Sequence, residues 1–166
     1  PYSFIQDVGF IELIVHAFPS YTIKSRPYYC SLINKLHAEK KVMLLEKLKK
    51  TDHVSLTSDC WSSINGESYI TVTSHFISDV GTFDSYVLTT REFPTNHSAE
   101  NLSTFFTAVS KTWFIEDKIE RIVTDNARNV TNAVTLSGNK LFRCAAHTLN
   151  LCANDSLKSD SIVNIL

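Results

Sequence analysis

Two apolar runs in this chain stop on a carboxylate: Val54-Ser55-Leu56-Thr57-Ser58-Asp59 and Arg121-Ile122-Val123-Thr124-Asp125. Cys60-Trp61 follows the first and Asn126 the second. Each pattern predicts a short buried strand that ends on its Asp. Parallel neighbours in a sheet bring their last residues to one edge, with the strands about 4.8 Å apart. Asp59 and Asp125 would then share a divalent cation, since carboxylate oxygens are hard ligands. Taken singly, either Asp reads more readily as a turn or helix cap; their joint place on the strand order turns the reading toward a metal. Cys144-x-x-His147 is a second cluster, with Cys152 nearby. Zinc wants about four ligands, so a buried, hydrogen-bonded pair is the stronger reading there. His75 and His97 read as satisfied structural histidines and Trp61 as a core or loop anchor. Asn126 either orients Asp125 or stabilises its turn, and the turn is preferred.

The elements that position these residues follow from periodicity. Residues 1–50 read as a helical lead-in. Phe10, Leu13, Ile14, Ala17 and Phe18 make one helical face, with Asp7 as N-cap and Pro19 closing the segment. Pro27 suits the first turn of a second helix, whose stripe runs through Tyr29, Leu32, Ile33, Leu36, Met43, Leu44 and Leu48. Six lysines decorate this stretch (Lys35, Lys40, Lys41, Lys47, Lys49 and Lys50). They read as a solvated face rather than a phosphate-contacting one.

From residue 53 the period changes to alternation. Strands are expected at His53–Asp59, Tyr69–Ile77 and Phe83–Thr90, joined as an antiparallel meander. Ser98 caps a helix with Leu102, Phe105, Phe106, Val109 and Trp113 on its inner face. A fourth strand at Lys118–Thr124 leads to a short helix near Val130–Leu136, ended by Gly138. Leu141–Cys144 is a fifth strand, and Ala146, Leu149, Ala153 and Leu157 form a last helical stripe. A crossover helix leads to a parallel strand. Setting strand four beside strand one gives the order 3-2-1-4-5 in an α/β fold, and places both aspartates at one edge.

Bulk properties narrow the classes. With 166 residues, 43% of them hydrophobic, the chain can bury a real core. A net charge of −1 excludes a strongly basic nucleic-acid module, so DNA contacts would lie on a local patch or outside the segment. The four cysteines form no CxxC pair, which fits a reducing compartment. Neither a secretory signal nor a bilayer-spanning run is visible, and no membrane partner is expected. The ends read as cut, as in a piece of a larger protein.

Five stretches in this order carry a resemblance: Leu56 to Ser63, Tyr69 to Phe76, Phe93 with His97, Val123 to Asn129, and Cys144 to Leu151. Together they resemble the hAT superfamily of DNA transposases and its domesticated relatives with BED zinc fingers. Residues 1–18 and 21–26 also resemble the lead-in of that group. The resemblance implies a ribonuclease-H-like domain over residues 51–146, truncated in a helical insertion domain that starts within 147–166. It implies that Asp59 and Asp125 are the first two catalytic carboxylates and metal ligands. It also implies that Cys144 and His147 form the motif that helps handle the transposon end. The third acid of the family, a Glu beyond the insertion domain, is not in this sequence. Arg128 stands where the family often has a small residue. Mg2+ or Mn2+ would be the cofactor, and zinc would belong to a BED finger outside the chain. DNA would be the partner, mainly through regions outside, as would any homo-oligomer contacts; the location would be the nucleus. Two ions held about 3.5–4 Å apart normally need a third ligand, so the chain alone is expected to be inactive. The rival expectation is a non-catalytic DNA-binding regulator that uses the fold for dimerisation and partner binding.

Overall fold

A computed structural model describes residues 2–157. The chain divides into two compact units, up to Leu44 and from Leu45 onward. The boundary falls inside the helix α2 (Arg26–Lys50).

The first unit holds a 3-10 turn at Tyr2–Gln6, then α1 (Val8–Ala17). Asp7 caps α1 as expected: its Oδ1 accepts from the Phe10 amide at 3.3 Å. The expected inner face of α1 is only half realised. Phe10 and Ile14 are partly buried, whereas Leu13, Ala17 and Phe18 are exposed. Aromatic contacts do the ordering instead: Phe4 meets Phe10 edge-on at 4.6 Å, and the Tyr21 and Tyr29 hydroxyls bond at 2.8 Å.

The second unit contains β1 (Val54–Ser62), β2 (Ser68–Ile77), β3 (Phe83–Glu92), α3 (Ala99–Trp113), β4 (Ile119–Thr124), α4 (Arg128–Leu136), β5 (Leu141–Arg143) and α5 (Ala145–Leu157). The five strands form one sheet in the order β3-β2-β1-β4-β5. The pairs β1/β2 and β2/β3 are antiparallel, and β1/β4 and β4/β5 are parallel. This is the expected mixed α/β architecture.

Alternation explains which face is packed. Val54, Leu56, Ile70, Val72, Phe76 and Ile122 are buried. They share the inner layer with Leu102, Phe105, Phe106, Val109 and Trp113 of α3, and with Val130, Ala133 and Val134 of α4. Ser98 caps α3 by accepting from Asn101 N at 3.2 Å. Polar groups in this layer find partners: Ser58 donates to Thr71 O at 3.0 Å, and Ser74 to Tyr86 O at 3.1 Å. The last turn of α2 is fixed by Lys118, whose Nζ donates to Leu48 O and Lys49 O, each at 2.9 Å. Lys47 is no solvated ornament, for it reaches Asp84 at 2.6 Å and Tyr86 at 2.7 Å. Those two acceptors hold its ammonium charged well above the usual lysine range.

Several boundaries differ from expectation. Strand β1 does not stop on Asp59; it continues through Ser62 because Cys60, Trp61 and Ser62 stay paired to Ile70, Tyr69 and Ser68. Trp61 is neither core nor loop: it is 42% exposed and stacks on its cross-strand neighbour Tyr69, ring centres 5.8 Å apart. The apolar stripe expected on α5 buries no described side chain. No helix among the described residues is long and apolar enough to cross a membrane.

Candidate active site

The register of the sheet builds the site. Parallel pairing of β1 with β4 ends at Thr57 opposite Val123. Two residues further on in each strand direction stand Asp59 and Asp125, so the same register continued would place them opposite each other. β4 itself ends at Thr124, leaving Asp125 as the first residue of the following turn. Alternation puts Asp59 on the face of Thr57, and the β1/β2 pairing puts Thr71 and Thr73 beside them.

These residues line one cleft of about 420 Å³. Its wall includes Asp59, Asp125, Cys144 and His147, together with Thr57, Thr71 and Thr73. The structure therefore gathers all four residues singled out from the sequence. Cys144 is carried in by a backbone bond, its amide donating to Thr124 O at 2.8 Å. His147 follows on the first turn of α5.

Asp125 closes the turn. Its Oδ1 accepts from Ala127 N at 3.1 Å, just before the start of α4. Asn126 does not make that turn, contrary to the preferred expectation. Its Nδ2 instead donates to Thr148 Oγ1 on α5 at 3.1 Å. A carboxylate has about four lone-pair positions, so the turn bond leaves Asp125 with acceptor capacity. Asp59 is exposed.

The field of the two acids is felt by Cys60. Burial, then Asp125, then Asp59 push its thiol up from an ordinary 9.0 to about 11. His75 accepts or donates one bond with Thr57 Oγ1 at 3.0 Å, and burial lowers its basicity. His97 departs from expectation, because its buried Nε2 has no hydrogen-bond partner among the described residues. Its ring packs edge-on against Phe93 at 5.2 Å, and its carbonyl accepts from Asn129 Nδ2 at 2.8 Å.

The donor chemistry suits one partly hydrated Mg2+ on two carboxylates, because Mg2+ binds through one or two carboxylates and keeps several waters. Among the described residues, no three His, Cys, Asp or Glu side chains gather closely enough to hold a metal ion. Cys144 and His147 are each partly buried. Sequence reasoning missed Thr148, Thr71 and Thr73. The two β2 threonines follow once the hairpin register is known; Thr148 gives no signal beyond its place next to His147.

A five-stranded mixed sheet of this order, with paired acids at its parallel edge, defines a ribonuclease-like domain. Residues 57–158 match the family described as ZBED1 RNase-like domain, and the chain belongs to that family. It is a hAT-type, transposase-like chain. It is similar to a putative AC transposase and a putative AC9 transposase of Zea mays. Each is 31% identical over 173 aligned positions, which cover 95% of this chain and 21% of the relative. It is also similar to zinc finger BED domain-containing protein 4 of Homo sapiens, 24% identical over 100% of this chain and 15% of that protein. The chain thus spans about a fifth or less of the length of these relatives.

Proposed function

We propose that this chain supplies the first two acids of a metal-dependent DNA strand-cleavage and strand-transfer centre, within a longer nuclear transposase-like protein. The supporting observation is the convergence of Asp59, Asp125, Cys144 and His147 on one cleft at the parallel edge of the sheet. Asp59 and Asp125 would hold Mg2+ or Mn2+ through their carboxylate oxygens. Such an ion, when bound, polarises a phosphodiester and activates an attacking hydroxyl. The chain's own contribution is orientation. Asp125 is fixed by its turn bond to Ala127, and Asp59 is held by β1/β2 pairing beyond the end of β4. His147 and Cys144 line the same cleft, where they would meet a DNA end.

Two carboxylates do not hold two ions, so the isolated chain neither nicks nor joins DNA. The test is an assay of the purified chain with Mg2+ or Mn2+ on DNA carrying the element's ends. No cleavage is expected; cleavage that needs metal and is lost in Asp59→Ala would overturn this. Restored cleavage when the chain is extended through its native downstream sequence would support the two-acid assignment.

A second reading has its own support. Similarity to zinc finger BED domain-containing protein 4 of Homo sapiens supports a non-catalytic DNA-binding regulator that keeps the fold for dimerisation and partner binding. Under that reading the full-length protein binds DNA, and Asp59→Asn leaves the binding unchanged.

A further inference from the structure

We propose that Asn126 is a positioning residue, which clamps the first turn of α5 onto the turn that holds Asp125. The role rests on the cleft reading above. His147 and Asp125 lie on different elements, and α5 fully buries no described side chain, with His147 itself only partly buried. Polar ties therefore help set where His147 stands. One is the backbone bond from Cys144 N to Thr124 O at 2.8 Å. The other is Asn126 Nδ2 to Thr148 Oγ1 at 3.1 Å. The Thr148 hydroxyl donates its own hydrogen bond to Cys144 O at 3.0 Å, so the amide grips the helix through its opening carbonyl. Thr148 directly follows His147, and a shift of this grip moves the imidazole.

The turn does not need Asn126. Asp125 Oδ1 closes it on Ala127 N. Asn126 Oδ1 is buried with no hydrogen-bond partner among the described residues. A buried unpaired acceptor is unfavourable, and a residue serving the turn alone could avoid it. What Asn126 provides in addition is the donated bond to α5.

The experiment uses Mn2+ as a paramagnetic probe in nuclear magnetic resonance of the chain and three variants: Asn126→Ala, Thr148→Val and Thr148→Ser. Thr148 is exposed, so its variants leave the core untouched. In the parent chain, Mn2+ broadens the His147 ring signals and the amides of Thr57 and Thr73. In Asn126→Ala and Thr148→Val, broadening at Thr57 and Thr73 persists while that of the His147 ring falls several-fold. Thr148→Ser keeps the hydroxyl and behaves as the parent. Combining Asn126→Ala with Thr148→Val causes no loss beyond that of Thr148→Val, since the bond Asn126 donates ends on the Thr148 hydroxyl. Undiminished broadening of His147 in both single variants overturns the clamp and spares the cation site. Loss in Thr148→Ser equal to that in Thr148→Val overturns it too. Absence of Mn2+ broadening at every cleft residue of the parent overturns the cation reading itself, and the clamp's role with it.

Discussion

Cys60 offers a direct measure of whether the two acids act on one spot. Cys60 follows Asp59 in β1, and burial, Asp125 and Asp59 together raise its thiol to about 11 from an ordinary 9.0. A rise of about two units leaves roughly a hundredfold less thiolate at pH 8. Folding stability takes the same sign. The folded value lies above the unfolded one, so stability is intact below pH 9 and declines as pH rises through about 11. Asp59→Asn and Asp125→Asn each remove one negative charge, and each is expected to lower the Cys60 value. Burial is the largest cause, so the value stays above 9.0 in both. The assay is iodoacetamide alkylation across pH, read site by site by mass spectrometry. The free thiols of Cys30 and Cys152, which do not line the cleft, provide internal references. Midpoints, rather than absolute rates, cancel the effect of partial burial on access. Millimolar Mg2+ should lower the Cys60 midpoint of the parent chain and leave that of Asp125→Asn in place. A parent midpoint near 9, or one unmoved by either Asn substitution, would refute the shared field.

Four further outcomes follow from packing, backbone conformation and burial. Ile122 is fully buried in β4, so Ile122→Ala should cost about 2–5 kcal/mol in urea unfolding, whereas Trp61→Ala removes a half-exposed cross-strand stack and should cost about 0.2–1 kcal/mol. Gly138 has φ +76°, and Gly138→Ala should lower stability by about 1–2 kcal/mol in the same assay, the penalty for a side chain in the left-handed region. Burial depresses the His75 imidazole below its ordinary 6.5, so the stability it supports is present above that pH and lost as pH falls through the depressed folded value; in thermal unfolding from about pH 7 to 4.5, His75→Gln should show a smaller acid-side drop than the parent.

The sheet was readable because period-two alternation and the Ser98 cap are local signals with one structural meaning. The strand order came from the α3 crossover, which restricts β4 to a parallel neighbour. The extension of β1 past Asp59 was not readable, since pairing with β2 continues where pairing with β4 stops, and a single strand's sequence does not record two different partners. The exposure of Leu13 and of the α5 stripe was hidden for a related reason: helical periodicity names an apolar face but not whether anything covers it. At the site, residue type and position marked Asp59, Asp125, Cys144 and His147. The bond from Asn126 to Thr148 spans 22 positions, and nothing local in either segment announces it.

The phase of β1 against β4 divides the chain into tolerant and intolerant stretches for length change. Lengthening the Ser63–Glu67 or Ser78–Thr82 connections alters hairpin tips and leaves the facing of the two acids untouched. Deleting Ser55 would turn the carboxylate of position 59 inward and swing Leu56 to the outside, because each strand residue alternates face. Insertions and deletions in this lineage should therefore accumulate at the hairpin tips and stay out of residues 54–58.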